Sequence, residues 1–130
     1  MNKSLRIAAV DLNGQLRGKR VATGMTGKQT RMPLSALNID IFGADIDGSP
    51  LVFESGDQDG IMASAGRELV PLPWVAGDAS LDLRVMQNED GSPFAGDPRT
   101  ALSNVLSRFS DHGWDVIAAC ELEFFLLEDG

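Results

Sequence analysis

The sequence predicts an α+β fold: a mostly antiparallel sheet of about five strands, followed by one helix and one further strand. Three observations point to it. Short apolar runs, alternating or continuous, recur between turns rich in Gly, Asp and Pro. Asn13-Gly14 lies between two such runs, and this dipeptide is the strongest short-range hairpin signal. Only one segment, opened by Asp97-Pro98, places its apolar residues at helical spacing.

Along the chain, residues 5–12 read as a strand whose run Ile7-Ala8-Ala9-Val10 is buried. Asn13-Gly14 predicts a type I′ turn, with positive φ at both positions. Residues 15–22 return as the second strand, contributing Leu16 and Val21. Residues 23–31 are polar, hold Gly24 and Gly27, and read as a mobile loop. Residues 33–37 form a single helical turn, since Pro is tolerated at a helix start. Residues 38–43 alternate and read as a third strand. Residues 44–60 are dominated by Asp, Gly, Ser and Pro, a loop of the length that is more often functional or disordered than idle. Residues 68–72 read as a short strand, and residues 81–87 as a strand buried on one side, with Leu81, Leu83 and Val85 on the apolar face. After the turn at Glu89-Asp90-Gly91, Asp97 is an N-cap and Pro98 the first helical residue. Leu102, Val105, Leu106 and Phe109 form one stripe, and Gly113 ends the helix. The boundary between two structural units falls near residues 91–97, separating residues 1–92 from residues 93–130.

The last run, Cys120-Glu121-Leu122-Glu123-Phe124-Phe125-Leu126-Leu127, reads as the end of a strand over residues 114–127. Side chains two apart share a face, which sets Glu121 and Glu123 side by side with Phe125 and Leu127. Cys120, Leu122, Phe124 and Leu126 take the other face, a pattern expected of a strand covered on both sides. Two adjacent carboxylates repel, and desolvation adds to the cost. Two readings are open: a partly solvated edge whose glutamates face water, or a pair that holds a divalent cation through carboxylate oxygens. The expectation is that this strand begins a domain whose remainder is absent, or that a partner chain covers it.

Composition narrows the classes. The 130 residues are 43% hydrophobic and 23% charged, with no apolar stretch long enough to span a bilayer. The net charge of −8 argues against nucleic-acid or anionic-membrane binding. No signal-peptide core precedes Asp11, and Cys120, the single cysteine, predicts a cytoplasmic protein without an internal disulfide. Cys120 itself reads as a small buried hydrophobe. Arg17 and Lys19 are expected to face solvent or pair with acids, and Trp74 to anchor a core or an interface. His112, at the helix end, has no Ser or Cys partner in view and is assigned no catalysis.

These segments together resemble the glutamine synthetase family, with the strongest similarity to the type that couples glutamate to amines, the γ-glutamylpolyamine synthetases. Four stretches carry the resemblance: Asp11-Leu12-Asn13-Gly14 with Arg17-Gly18-Lys19-Arg20; Glu54 through Gly60 with Pro71 and Pro73-Trp74; Glu89-Asp90-Gly91 with Asp97-Pro98-Arg99 and Leu102; and Glu121-Leu122-Glu123-Phe124-Phe125-Leu126. Each is weak alone, whereas their order and spacing span nearly the whole chain. The resemblance implies a β-grasp-like N-terminal domain over residues 1–92. Residues 93–130 would then be the first helix and strand of an incomplete catalytic domain.

It further implies an ATP-dependent ligase that joins the γ-carboxylate of glutamate to ammonia or an amine through γ-glutamyl phosphate, in a ring-shaped homo-oligomer. Glu121 and Glu123 become ligands of Mg²⁺ or Mn²⁺, and the resemblance favours that reading over the solvated edge. The ATP site lies mostly outside these residues, and the chain by itself is expected to be inactive. Asp47, with Asp45 second, is the candidate that binds and deprotonates the incoming ammonium or amine. The family's ammonia-using bacterial members carry F-D-G-S-S where this chain has Ile46-Asp47-Gly48-Ser49-Pro50. Pro50 thus departs from the pattern, and Asp47 as a plain turn acid before Gly48 stays an equal reading. A free-standing, non-catalytic interaction or regulatory module is the alternative to the ligase.

Overall fold

The structure, a computed structural model, describes residues 4–128. Six strands, β1 (Ser4–Val10), β2 (Leu16–Val21), β3 (Thr30–Pro33), β4 (Asp59–Ser64), β5 (Val70–Pro71) and β6 (Ala79–Gln87), form one mixed sheet in the order β2-β1-β6-β4-β3, with β5 also paired to β6. Only β1 and β6 run parallel; the other pairings are antiparallel. Single 3₁₀ turns sit at Thr23–Met25 and Leu34–Leu37, a four-residue helix α1 at Pro50–Phe53, and the long helix α2 at Pro98–Asp111.

The hydrophobic effect explains why β6 is central. One face of the sheet buries Leu5, Ile7, Ala9, Met32, Leu34, Leu37, Met62, Met86 and Phe94, and the other a smaller set, Ala8, Leu72, Ala79 and Leu81. The strand therefore has no solvated side, contrary to the one-sided burial expected of residues 81–87. The face expected to meet water is the more deeply buried, and it carries the charged Asp82 and Arg84 together with Met86. Arg84 is 2% exposed, and its Nη2 donates to Asp82 Oδ2 at 2.5 Å while Nη1 donates to Met62 O at 3.3 Å. An i, i+2 pair of opposite charge in a strand shares a face, so the two can neutralise each other away from water.

The β1–β2 hairpin forms where expected, but its loop is not a two-residue type I′ turn. Gly14 has φ +77° and Asn13 does not take positive φ. Asp11 Oδ1 accepts from the Asn13 and Gln15 N–H groups, both at 2.8 Å, and the Asp11 N–H donates to Gln15 O. The carboxylate thus organises a three-residue loop with glycine at its left-handed position. Gly18 is required for a different reason: a Cβ there would lie 1.8 Å from Ile7 O on the neighbouring strand.

Residues 38–43 do not form the expected third strand. Asp40 Oδ1 accepts from the N–H groups of Phe42 and Ala44, and so takes the donors that a ladder would use. What remains of pairing is a single bridge between Ile39 and Asp45. The loop expected over residues 23–31 contains a 3₁₀ turn and the start of β3, and the long loop over 44–60 contains α1 and the start of β4.

Asp97 caps α2 as expected, Oδ1 accepting from the N–H of Arg99 at 2.8 Å and of Thr100 at 3.4 Å. Its other oxygen accepts from the Met86 N–H of β6 at 2.6 Å, so one fully buried carboxylate ties the helix start to the sheet. At the far end Gly113, with φ +71°, donates to Ser110 O, and Trp114 N–H donates to Phe109 O. These are the two bonds of a Schellman C-cap, completed by the Phe109–Trp114 ring contact at 6.1 Å.

Beyond that cap the expected final strand is absent: residues 114–128 are exposed and pair with no strand among the described residues. Alternation alone cannot make a strand, because its N–H and C=O groups need a neighbouring ladder. Cys120 is accordingly a free, exposed cysteine and not a buried hydrophobe. Trp74, 75% exposed, is not a core anchor. The α2 stripe of Leu102, Val105, Leu106 and Phe109 is likewise exposed.

Candidate functional site

The acidic loop after the 3₁₀ turn is built from its base upward. The Leu12 N–H donates to Leu37 O at 3.1 Å, and Asn13 Nδ2 donates to Ile39 O at 3.0 Å and Asp40 O at 3.2 Å. Residues 40–44 close a tight turn, with the Asp40 N–H on Ala44 O and the Gly43 N–H on Asp40 O. A second turn follows, in which the Ser49 N–H donates to Ile46 O and Gly48 takes φ +72°. Asp47 sits in this turn, exposed to solvent, as the turn-acid reading requires. Further on, Ser35 Oγ donates to Asp57 Oδ1 and the Leu34 N–H to Gln58 O, fastening the end of the loop to the 3₁₀ turn at Leu34–Leu37.

Asp11 lies beneath the hairpin loop at 1% exposure, and Arg17 Nε donates to its Oδ2 at 2.7 Å. Burial alone would raise its pKa. The hydrogen bonds from Arg17 and from the Gln15 and Asn13 N–H groups outweigh that and hold its carboxyl below the ordinary carboxylate range. Arg17 thus pairs with an acid, as expected of it, and its guanidinium also reaches Gly43, where a Cβ would lie 3.8 Å from Nη1. Lys19 Nζ donates to Arg31 O at 2.6 Å. At the rim of the sheet, Glu89 receives Arg31 Nη1 and Gln58 Nε2, both at 3.2 Å.

Glu121 and Glu123 are exposed in the segment that follows the α2 C-cap. Their carboxylate oxygens suit a hard divalent cation. Among the described residues, however, no group of three or more His, Cys, Asp or Glu side chains converges as a metal site requires. Asp47, Glu121 and Glu123 are therefore not brought together, and the two glutamates can supply only part of a donor set. His112 Nδ1 lies 2.8 Å from Arg108 O, in keeping with a helix-end role. Asp11 and Asn13 were legible as a hairpin motif, but their grip on residues 39–40 was not. The available signal was the short polar side chain of Asn13, a residue type that readily hydrogen-bonds nearby backbone.

Comparisons with known proteins follow the same outline. A family model described as the glutamine synthetase catalytic domain matches residues 95–130. The chain is 30% identical over 125 residues to a γ-glutamylputrescine synthetase of Escherichia coli, covering 94% of this chain and 26% of that protein. It is 29% identical over 132 residues to a glutamate–isopropylamine ligase of a Pseudomonas species, covering 97% of this chain and 28% of that protein. A solved structure described as a novel glutamine synthase homolog superposes with a TM-score of 0.72 at 16% identity, covering 86% of this chain and 28% of that one, and shows the fold alone. The chain thus spans about a quarter of the length of the curated relatives it matches. The family match begins where Asp97 joins sheet to helix, and the relatives align across nearly the whole chain on both sides of that joint: the chain belongs to the glutamine synthetase family.

Proposed function

We propose that the protein carrying this chain is an ATP-dependent ligase that joins the γ-carboxylate of glutamate to ammonia or an amine through γ-glutamyl phosphate. The observation that carries this reading is the similarity over more than nine-tenths of the chain to two ligases that form glutamate amides of amines. In this reading residues 1–92 are a β-grasp-like N-terminal domain, supported by the central parallel β1–β6 pair flanked by antiparallel strands. Residues 93–130 open the catalytic domain, supported by the family match over residues 95–130. Ring-type homo-oligomerisation and a cytoplasmic location belong to the same reading. No helix among the described residues is long and apolar enough to cross a membrane.

Glu121 and Glu123 would hold Mg²⁺ or Mn²⁺ together with donors from elsewhere in the assembled protein. When bound, such ions polarise a transferring phosphoryl group and neutralise nucleotide phosphates. Asp47 would accept a hydrogen bond from an ammonium or amine acceptor and take its proton, a reading supported by its exposure and by the lack of a hydrogen bond or ion pair to its carboxylate among the described residues.

The test is ATP-dependent amide formation by the complete protein, followed as phosphate release with glutamate and, in turn, ammonia, a monoamine and a diamine. Glu121→Ala and Glu123→Ala should each lower turnover by roughly 10²- to 10³-fold, the usual loss when a group stabilising transition-state charge is removed. Unaltered turnover in both variants would remove the metal-ligand assignment. No glutamate-dependent phosphate release with any acceptor would remove the ligase reading.

A further inference from the structure

The loop over residues 39–48 has little packing to hold its shape. Ile41 and Phe42 at its tip are 77% and 88% exposed, and every residue from 41 to 48 faces solvent. An exposed loop of this kind keeps one conformation only if hydrogen bonds at its base fix it. Asp40 and the backbone of residues 40–44 close the turn from within, and the side-chain bonds that reach it from outside come from the β1–β2 hairpin. Both Asn13 amide contacts are made to the loop base, at Ile39 O and Asp40 O. Asn13 is itself set by its N–H bond to Asp11 Oδ1, and Asp11 is held through Oδ2 by Arg17. Arg17 then lies beside Gly43 in the loop, where a Cβ would stand in ordinary contact with its guanidinium, 3.8 Å from Nη1 and 3.9 Å from Nη2. One connected set of side chains therefore runs from the buried end of β1 to both the base and the turn of the acidic loop.

We propose that Asp11, Asn13 and Arg17 are positioning residues that fix the loop over residues 39–48 and, through it, set the affinity for the amine acceptor. The functional half rests on the acceptor role of Asp47 given above; the structural half does not. Asp47 follows the Ile39–Asp45 bridge by two residues, so a shift at that bridge is passed to its carboxylate through very little chain. A clamp of this kind changes where an acid waits, and not what it does chemically. Its signature is acceptor KM more than kcat.

The experiment compares Asn13→Ala, Arg17→Ala, Arg17→Lys, Asp47→Asn and the control Arg20→Ala in the complete protein. The readouts are amide exchange at Phe42 and Ala44 against Ile7 and Ala9, and steady-state kinetics with ammonia and with a diamine. Asn13→Ala and Arg17→Ala should speed exchange in the loop and raise acceptor KM, each by roughly three- to tenfold, the equivalent of one net hydrogen bond. Exchange at Ile7 and Ala9, glutamate KM and kcat should stay within about twofold, the tolerance expected of positions that keep their own contacts. Arg17→Lys should fall between, because an ammonium can pair with Asp11 but lacks the planar fork that spans to Gly43. Unchanged loop exchange in Asn13→Ala and Arg17→Ala overturns the proposal. So does a uniform loss in kcat with faster exchange across β1, which is the mark of general destabilisation. If Asp47→Asn raises acceptor KM and the clamp variants do not, the clamp fails while the acceptor role stands. If Asp47→Asn leaves acceptor KM unchanged, the acceptor role fails instead, and loop exchange alone decides whether the clamp positions the loop.

Discussion

Three carboxylates buried to different ends show how much one residue can organise. Asp82 neutralises Arg84 inside the sheet, Asp97 joins a helix to a strand, and Asp11 gathers a hairpin loop. Removing one partner of a buried pair strands the other charge, so Asp82→Ala should cost about 3–5 kcal/mol in urea unfolding. Replacing both Asp82 and Arg84 by apolar residues of similar volume should cost much less, and the comparison separates an unpaired charge from the worth of the pair. Asp11 makes a pH prediction. Its folded pKa is depressed, so its contribution is complete above the unfolded value of about 3.9 and is lost as pH falls through the lower folded value. The urea midpoint should therefore drop below about pH 4, and Asp11→Asn should flatten that acid limb while lowering stability at neutral pH. At this scale the sequence displayed the residues but not their bonds. Asp97 is a legible N-cap, yet nothing in its neighbourhood announces that its second oxygen reaches β6.

Elements with local causes were legible, and elements with tertiary causes were not. The hairpin, the 3₁₀ turn after Pro33 and α2 with both its caps follow from turn residues, Pro and Gly placed where backbone geometry requires them. Residues 38–43 alternate as a strand should, but Asp40 captures the donors first. β3 and β4 were missed because Gly60 and two methionines carry no strand preference. Gly60 is needed for closeness instead, since a Cβ there would lie 2.3 Å from Leu34 Cδ2 and 2.6 Å from Gln87 O. The same logic makes Gly18→Ala severe: with its Cβ 1.8 Å from Ile7 O, β1 and β2 must separate locally. The expected cost is about 3 kcal/mol by denaturant titration, at the upper end for overpacking. Gly113→Ala, by contrast, meets open space and suffers only from its positive φ. It should cost about 1 kcal/mol, read as loss of helical ellipticity at the end of α2 together with a lower unfolding midpoint.

At the level of the molecule, burial is concentrated in the sheet and its attached turns, from Ser4 to the Asp97 joint. The apolar stripe of α2 and residues 114–128 are exposed. The order of residues in the last segment suits a strand covered on both faces, but cover is a property of what surrounds a strand, and among the described residues this segment forms none. Because this segment buries little, deleting residues 115–130 should shift the unfolding free energy of the sheet by less than about 1 kcal/mol, within the range of surface changes. A larger loss would mean that the tail contributes packing to the sheet.

The bond between the Met86 N–H and Asp97 has a practical corollary. Among the described residues it is the one strand donor whose acceptor belongs to the helix cap, so its solvent protection depends on the cap staying seated. Deuterium uptake at that single amide is a built-in gauge of how often α2 detaches while the rest of β6 stays closed. Any partner that settles on the exposed stripe of α2 should slow that uptake without touching β6 itself.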